Sequence, residues 1–274
     1  MVEVIGGVLA RATQKYPVQL CGFVAASNHV HLLCRAQDGA LSKFMQYVLG
    51  NITRKAGRLV GWRGQLWERR FSAEQVLDPS ALEGRLKYII SHGVKEGLVE
   101  RVLDWPGLSC VPQLLNNAKR TFRFFEWSRR WARGQLLGGG EQPWIRRWTT
   151  EETLELHPIE TWEHWSPEAR RARVRQLMAE AEAEGREKYP DGPRGLTAVL
   201  SKNPLRRPRA TKRSPRPWFH AFTQALRDLF KAKYDQFVRD FRVAAALFRT
   251  ARWAEAEFPP YAFRPIVQSL PRRL

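Results

Sequence analysis

The chain is poor in acidic residues and in cysteine, and it has no long apolar run. It carries 27 Asp and Glu against 46 Lys and Arg, which gives a formal net charge of +19. No apolar stretch approaches the roughly 18 residues that a transmembrane helix needs, so such a helix is excluded. The first residues contain Glu3 and no basic cluster, so they do not have the pattern of a secretory signal.

The three cysteines, Cys21, Cys34 and Cys110, form neither a CxxC zinc pattern nor a disulfide framework. A few scattered cysteines without a disulfide framework are typical of a protein from a reducing compartment. We therefore expect a cytoplasmic, nucleoid-associated protein with no membrane partner. Hydrophobic residues make up 43% of the chain, which is enough for a packed core and excludes general disorder. The excess of positive charge indicates a polyanionic partner, most often nucleic acid.

Residues 1–113 read as an α+β unit that begins inside a helix. Apolar residues recur at helical spacing up to Ala12, and Pro17 ends that helix. Two apolar runs of strand length follow, Val18–Ala25 and His29–Arg35, with a short polar turn between them. Strands this close in sequence predict an antiparallel hairpin.

Two further helices are predicted in this unit. The first presents an apolar face made of Leu41, Phe44, Met45, Val48, Leu49 and Ile52. The second begins with Asp78 as N-cap and Pro79 at the first helical position. It is expected to run to about His92, with Gly93 as the glycine that ends it.

The rest of the chain is predicted as a basic-aromatic and charged helical region over 114–200, a basic proline-rich linker over 201–217 and a helical region over 218–274. Lys119–Arg133 contains six basic residues, one acidic residue and five aromatic residues. Phe124, Trp127 and Trp131 fit one face of a helix, which favours a core role; stacking on bases is the alternative. The amphipathic helices over 166–188 and 221–251 are expected to be scaffold or homodimer contacts.

The segment Asn28-His29-Val30-His31 is the first candidate site. Side chains alternate faces along a strand, so His29 and His31 point to the same side. Two neutral imidazoles in that arrangement can share one divalent metal ion. An HxH pattern alone is a weak signal, and two packed or solvent-facing histidines are the alternative.

Tyr88 is the second candidate. It lies beside the apolar stripe of its helix, on the same side as Arg85 and His92. A tyrosine there can present its hydroxyl to a site instead of filling a core. The alternatives are a boundary tyrosine and, for His92, a favourable position near the end of the helix dipole.

Three motifs occur in one order along the chain: NHVHLL at 28–33, GQLWERRF at 64–71 and RLKYIISHGVKEGLV at 85–99. A segment with Trp105, Pro106 and Ser109 follows them. In combination these motifs resemble the HUH single-tyrosine transposases, and most closely the REP-associated tyrosine transposase branch. The resemblance covers approximately residues 1–113.

The resemblance implies a ferredoxin-like antiparallel sheet with helices on one side, followed here by a mostly helical basic extension. It also implies a site in which two histidines and a third polar residue bind Mg²⁺ or Mn²⁺. His29 and His31 match the metal pair, and Tyr88 matches the nucleophile that attacks single-stranded or hairpin DNA. The implied function is transposition: cleavage and rejoining of DNA through a 5′-phosphotyrosine link.

The chain departs from this family in two places. The family has Asn and Pro after the tyrosine, in a YIxxNP pattern, where this chain has His92 and Gly93. Related enzymes place a third metal ligand at the position of His92, and three histidines would favour Zn²⁺ or Mn²⁺. The family also opens with a strand that carries a YHVTxR-like segment, so one strand of the sheet is expected to be missing. An inactive relative that binds DNA hairpins and an RNA-binding protein are the alternative functions.

Basic residues in several segments are expected to contact DNA. Lys43 and the segment Gly64–Arg70 are expected to line the approach to the site. The basic linker is expected to hold phosphates without sequence preference, and a merely solvated linker is the alternative. The full set of expected DNA-binding residues is Lys43, Arg54, Arg69, Arg70, Arg85, Arg120, Arg123, Arg130, Arg207 and Lys212.

Overall fold

The computed structural model describes residues 1–37, 39–127, 148–201, 203, 219–260, 262 and 265. The chain divides into two compact units, Met1–Phe219 and His220–Leu274. The α+β class predicted from the sequence is confirmed. Within the described part of the chain, no helix combines the length and apolar character that crossing a membrane requires.

The elements have the following bounds. The helices are α1 (Val2–Lys15), α2 (Ala40–Val60), α3 (Pro79–Ile90), α4 (His92–Lys95), α5 (Val111–Asn116), α6 (Pro167–Lys188), α7 (Gly195–Leu200) and α8 (Gln224–Arg249). The strands are β1 (Val18–Ala25), β2 (Val30–Ala36), β3 (Gln75–Val76), β4 (Arg120–Phe125), β5 (Thr149–Leu154) and β6 (Phe219–His220). Short 3₁₀ turns lie at Val102–Asp104, Glu160–Trp162 and Trp253–Glu255.

β1 and β2 form the antiparallel hairpin that the sequence predicts, and this small sheet packs against helices. Val18 pairs with Ala36 and Ala25 pairs with Val30, with a bulge in the register at Cys21. The side chains of β1 are almost all buried. The strand is a near-continuous apolar run, so both of its faces can be covered by other elements. The bulge lies where Gly22 faces α3: a Cβ on Gly22 would lie 2.9 Å from Leu86 Cδ1.

The edge of β1 that faces away from β2 is covered by irregular segments. The Ala25 N–H donates to Leu108 O over 2.8 Å, and the Cys110 N–H donates to Phe23 O over 3.0 Å. An isolated bridge pairs Val24 with Ser109 in the same place. A further bond runs from the His157 N–H to Leu20 O over 2.8 Å. The two-stranded sheet therefore satisfies main-chain groups on this edge without a third strand.

α1 packs closely on a second antiparallel pair, β4 with β5. The contact is close because the helix presents Gly6 and Gly7: a Cβ on Gly6 would lie 2.3 Å from the ring of Phe122. Phe122 and Phe124 point into the core, while Thr121 and Arg123 are exposed. The prediction of a helix through this segment is wrong: the alternation of buried and exposed residues has the period of a strand. Trp131 lies outside the described residues.

The start of α3 agrees with the sequence prediction, and its end does not. Asp78 caps the helix by accepting the Ala81 N–H over 2.7 Å, with Pro79 at the first position. The helix ends at Ile90, and the separate short helix α4 begins at His92. Gly93 lies buried inside α4, where a Cβ would lie 2.6 Å from the ring of Trp105. The left-handed residue that follows is instead Gly97, with φ of 64°.

The charged helix predicted over 166–188 is present as α6. Ser166 caps it by accepting the Ala169 N–H over 3.2 Å. Its apolar residues pack against other elements of the first unit, to which it belongs, and Gly185 lets it approach Val94 closely: a Cβ there would lie 2.3 Å from Val94 Cγ1. Residues His220–Leu274 form the second unit around the long helix α8, so the C-terminal region is mostly helical, as expected.

Candidate metal centre

Three histidines from two separate segments meet at one end of the hairpin. His29 immediately precedes β2, His31 lies in β2 opposite Val24, and His92 is the first residue of α4. His29 and His31 face the same side because they are two residues apart in extended chain. His92 is brought to them by the packing of α3 against the hairpin. The sequence separation of 63 residues between His29 and His92 makes this a tertiary contact.

The imidazole rings are close enough to hold one ion. Their centroids are 4.8 Å apart for His29 and His31, 4.9 Å for His29 and His92, and 5.0 Å for His31 and His92. His29 Nε2 lies 3.1 Å from His92 Nε2, and the ligand atoms of the three residues all lie within 4.8 Å of one another. Two nitrogens bound to one zinc ion can be at most about 4.2 Å apart, twice the bond length. The 4.8 Å bound is only slightly larger, so a small movement of the rings would bring all three donors onto one ion.

Asn28 fixes the ring of His29. Asn28 Oδ1 accepts a hydrogen bond from His29 Nδ1–H over 2.6 Å. In that tautomer Nε2 carries the free lone pair, and Nε2 is the atom that faces His92. A hydrogen bond of this kind orients a metal-binding histidine and raises its basicity.

Burial keeps the three imidazoles neutral. It lowers the pKa of His31 to about 4, with the neighbouring His29 and His92 acting in the same direction. Burial also lowers the pKa of His29, against the charge of Glu96, and it lowers the pKa of His92, with His29 as the next cause. A neutral imidazole is the form that binds a metal ion.

His92 is the most deeply buried of the three, with 2% of its surface exposed. Its Nδ1 has no hydrogen-bond partner within the described part of the chain. The ring packs edge-on against Trp105, with centroids 6.3 Å apart. The other ring nitrogen, Nε2, faces His29 Nε2 and is the donor atom that a shared metal ion would use.

Tyr88 borders the histidine cluster. Its ring centroid lies 5.2 Å from that of His31 and 5.9 Å from that of His92. Lys95 Nζ stands 4.1 Å from the centroid of the Tyr88 ring, and Arg85 Cζ stands 5.6 Å from it. Burial raises the pKa of Tyr88, so the hydroxyl is protonated at neutral pH. The tyrosine ring is therefore close both to the histidine cluster and to two cationic side chains.

The residues expected to contact DNA are only partly gathered here. Arg85 lies beside Tyr88. Lys43, Arg54, Arg69 and Arg70 are exposed on α2 and the loop after it. Arg120 Cζ lies 4.8 Å from the Phe122 ring centroid, and Arg123 pairs with Glu3 over 3.9 Å. Arg130, Arg207 and Lys212 lie outside the described residues.

Two residues of the site were not given a role from the sequence. Lys95 follows Tyr88 by seven residues, which is about two helical turns, so helical spacing could have placed it on the tyrosine's side. Asn28 precedes His29 in the NHVH segment, and a carboxamide beside a metal-binding histidine is a recognisable signal for an orienting hydrogen bond.

The histidine cluster could bind a metal ion, since it offers three neutral nitrogen donors in one place. The chain matches no protein-family model, no curated protein and no solved structure.

Proposed function

We propose that this protein cleaves and rejoins single-stranded or hairpin DNA, with Tyr88 as nucleophile and with Mn²⁺ or Mg²⁺ held by His29, His31 and His92. One observation carries the proposal: the Tyr88 ring lies 5.2 Å from the ring of His31, beside three neutral imidazoles whose donor atoms lie within 4.8 Å of one another. The order of motifs that resembles HUH transposases supports it, and so does the net charge of +19.

The donor set bears on which metal is expected. Imidazole nitrogen suits Zn²⁺, whereas Mg²⁺ and Mn²⁺ favour carboxylate and water oxygens; Mn²⁺, as a transition-metal ion, accepts nitrogen donors more readily than Mg²⁺ does. Mn²⁺ is therefore the better match of the two proposed ions. When bound, the ion supplies positive charge that offsets the negative charge developing on the non-bridging oxygens of the scissile phosphate.

Tyr88 supplies the nucleophile in the proposed cleavage step. The Tyr88 oxygen forms a bond to phosphorus, and the bond from phosphorus to the 3′-oxygen breaks. The phenolic proton is lost and the departing 3′-oxygen gains one, so the products are a 5′-phosphotyrosine and a free 3′-hydroxyl. Burial, with Glu96 as the next cause, raises the pKa of Tyr88, and the charge of Arg85 acts in the opposite direction, toward the phenolate that attacks. Attack by a 3′-hydroxyl on the phosphotyrosine reverses the step and rejoins a strand.

The test is the formation of a covalent adduct. The full chain is incubated with labelled hairpin DNA carrying single-stranded flanks, in the presence of Mn²⁺ or Mg²⁺, and adducts are separated under denaturing conditions. We expect an adduct with the wild type and none with Tyr88→Phe, which removes only the hydroxyl. His29→Ala and His31→Ala are expected to abolish it as well.

A matched control keeps this test specific. Tyr189 is another tyrosine near Lys95, and its hydroxyl donates to the main-chain Lys95 O over 3.0 Å. Tyr189→Phe is expected to leave the adduct unchanged. An adduct that survives Tyr88→Phe would refute the assignment of Tyr88 as nucleophile. Hairpin binding by the wild type without any adduct would refute the nuclease activity and favour a DNA-binding function.

A further inference from the structure

A cleft of about 390 Å³ opens between the first two turns of α3 and the helix α6. Its walls include two tryptophans, Trp162 and Trp165, and the exposed Gly84 of α3. The volume falls in the range of sites that hold a small planar molecule. The cleft is separate from the histidine cluster, because none of the three histidines lines it.

The two indoles form a built stacking platform. Their rings are stacked, with centroids 5.5 Å apart and planes 15° from parallel. Trp162 is 2% exposed and is held by its Nε1–H, which donates to Glu83 Oε2 over 3.1 Å. Trp165 keeps 39% of its surface exposed. A buried, anchored indole thus supports an exposed one, and exposed indoles in nucleic-acid-binding proteins stack on bases.

The charges around the platform are balanced. Arg173 pairs with Glu83 and, over 3.2 Å, with Glu180. Lys87 pairs with Glu180 over 2.9 Å. The cations of the cleft are therefore already bound to carboxylates, which repel a phosphate. The cleft suits an uncharged aromatic group and not a DNA backbone.

Gly84 leaves its side of the cleft open and lies on the same helix as Tyr88. A Cβ on Gly84 would meet no atom within 4 Å. Gly84 precedes Tyr88 by one helical turn, a rise of about 6 Å along the axis. A DNA strand whose phosphate lies at Tyr88 reaches the cleft within a few nucleotides.

We propose that this cleft holds one unpaired base of the DNA that flanks the scissile phosphate, stacked on Trp165. The proposal rests on the function proposed above, because that function supplies the strand beside Tyr88. Such a site would select single-stranded flanks over a fully paired duplex, since an unpaired base enters the cleft without the cost of breaking a base pair.

The experiment measures binding of the full chain to a hairpin with single-stranded flanks, without divalent metal so that the DNA stays intact. Trp165→Ala is expected to weaken binding about tenfold, in line with the loss of one base stack. Gly84→Leu is expected to do the same by filling the cleft, and it removes no existing contact. Trp253→Ala, which removes a tryptophan 52% exposed in the second unit, serves as the control and should change nothing.

A second measurement identifies the base. Abasic nucleotides are placed one at a time in the flanks, and one position is expected to weaken wild-type binding as much as Trp165→Ala does. Combining that abasic DNA with Trp165→Ala should add no further loss. The loss should also be the same at low and high salt, because the cleft contributes no phosphate contact. Additive losses at every position, or a loss that disappears at high salt, would overturn the proposal.

The outcomes separate this proposal from the proposed function. If the wild type forms no covalent adduct but the coupled loss with Trp165→Ala is found, the base site stands and the nuclease fails. If the adduct forms and Trp165→Ala binds flanked hairpins as the wild type does, the nuclease stands and the base site fails.

Discussion

Metal binding at the histidine cluster should raise the thermal stability of the protein by an amount that depends on all three histidines. A free metal concentration of one hundred times Kd stabilises the folded state by about 2.7 kcal/mol. For a unit of this size, that corresponds to a rise in Tm of about 5–11 °C. The three imidazoles are already neutral and within 4.8 Å of one another, so no proton has to leave and little rearrangement is needed at neutral pH.

Removal of one donor gives the contrast. Loss of a residue that only orients a metal-binding side chain lowers metal affinity by up to about 100-fold. Loss of a metal-binding side chain itself, such as His92, should therefore lower it by at least as much. At the same metal concentration, His92→Ala should then keep about 0.4 kcal/mol of stabilisation and about 1–2 °C of the rise in Tm. Each variant is compared with and without metal, so that its own change in metal-free stability cancels.

Differential scanning fluorimetry with Zn²⁺ and Mn²⁺ measures these shifts. His164→Ala is the control, because His164 is an exposed histidine outside the cluster. It should show the full wild-type shift. A metal-induced rise in Tm as large as that of the wild type in His29→Ala, His31→Ala or His92→Ala would refute a site made of these three residues. Loss of that rise in His164→Ala would refute it as well.

Three further outcomes follow from the packing and the charges. Burial holds the pKa of His31 at about 4 against 6.5, so the metal-free wild type should lose more stability than His31→Ala as pH falls below 6.5. Burial lowers the pKa of Lys55 to about 8 from 10.5, so the urea midpoint of the wild type should rise relative to that of Lys55→Met as the pH is raised from 8 to 10.5. For either residue, parallel pH profiles of wild type and variant would contradict the prediction. Gly185→Ala should cost about 1–3 kcal/mol in urea unfolding, because its Cβ would press on Val94, and an unchanged midpoint would contradict that contact.

Local signals in the sequence were sufficient for several elements. The cap formed by Asp78 and Pro79 marks the start of α3, and Ser166 with Pro167 marks the start of α6, because capping depends on neighbouring residues only. The β1–β2 hairpin was predicted because its strands adjoin in sequence.

Elements that depend on distant partners were not predicted as well. The segment Arg120–Phe125 is a strand because β5, about thirty residues further on, pairs with it and α1 covers its phenylalanines. The sequence around it also fits a helical period, and nothing local decides between the two.

The candidate site shows the same division. The shared face of His29 and His31 follows from strand geometry alone, and the position of Tyr88 relative to His92 follows from helical spacing. The helix is interrupted at Ser91, and Gly93 just beyond it packs against Trp105, a tertiary contact that spacing does not reveal. Helical spacing could have placed Lys95 on the tyrosine's side, but the contact of its Nζ with the Tyr88 ring is a feature of the folded structure that spacing alone does not give.

The covered edge of β1 has a consequence for self-association. An open strand edge offers unpaired main-chain groups to another chain, and this is a common route to aggregation and to dimers formed by strand addition. Here the outward groups of Phe23 and Ala25 are already bonded to Cys110 and Leu108. A second copy of the protein cannot extend this sheet at those positions without first displacing that segment. A dimer formed by strand addition would therefore have to use a strand edge other than this edge of β1.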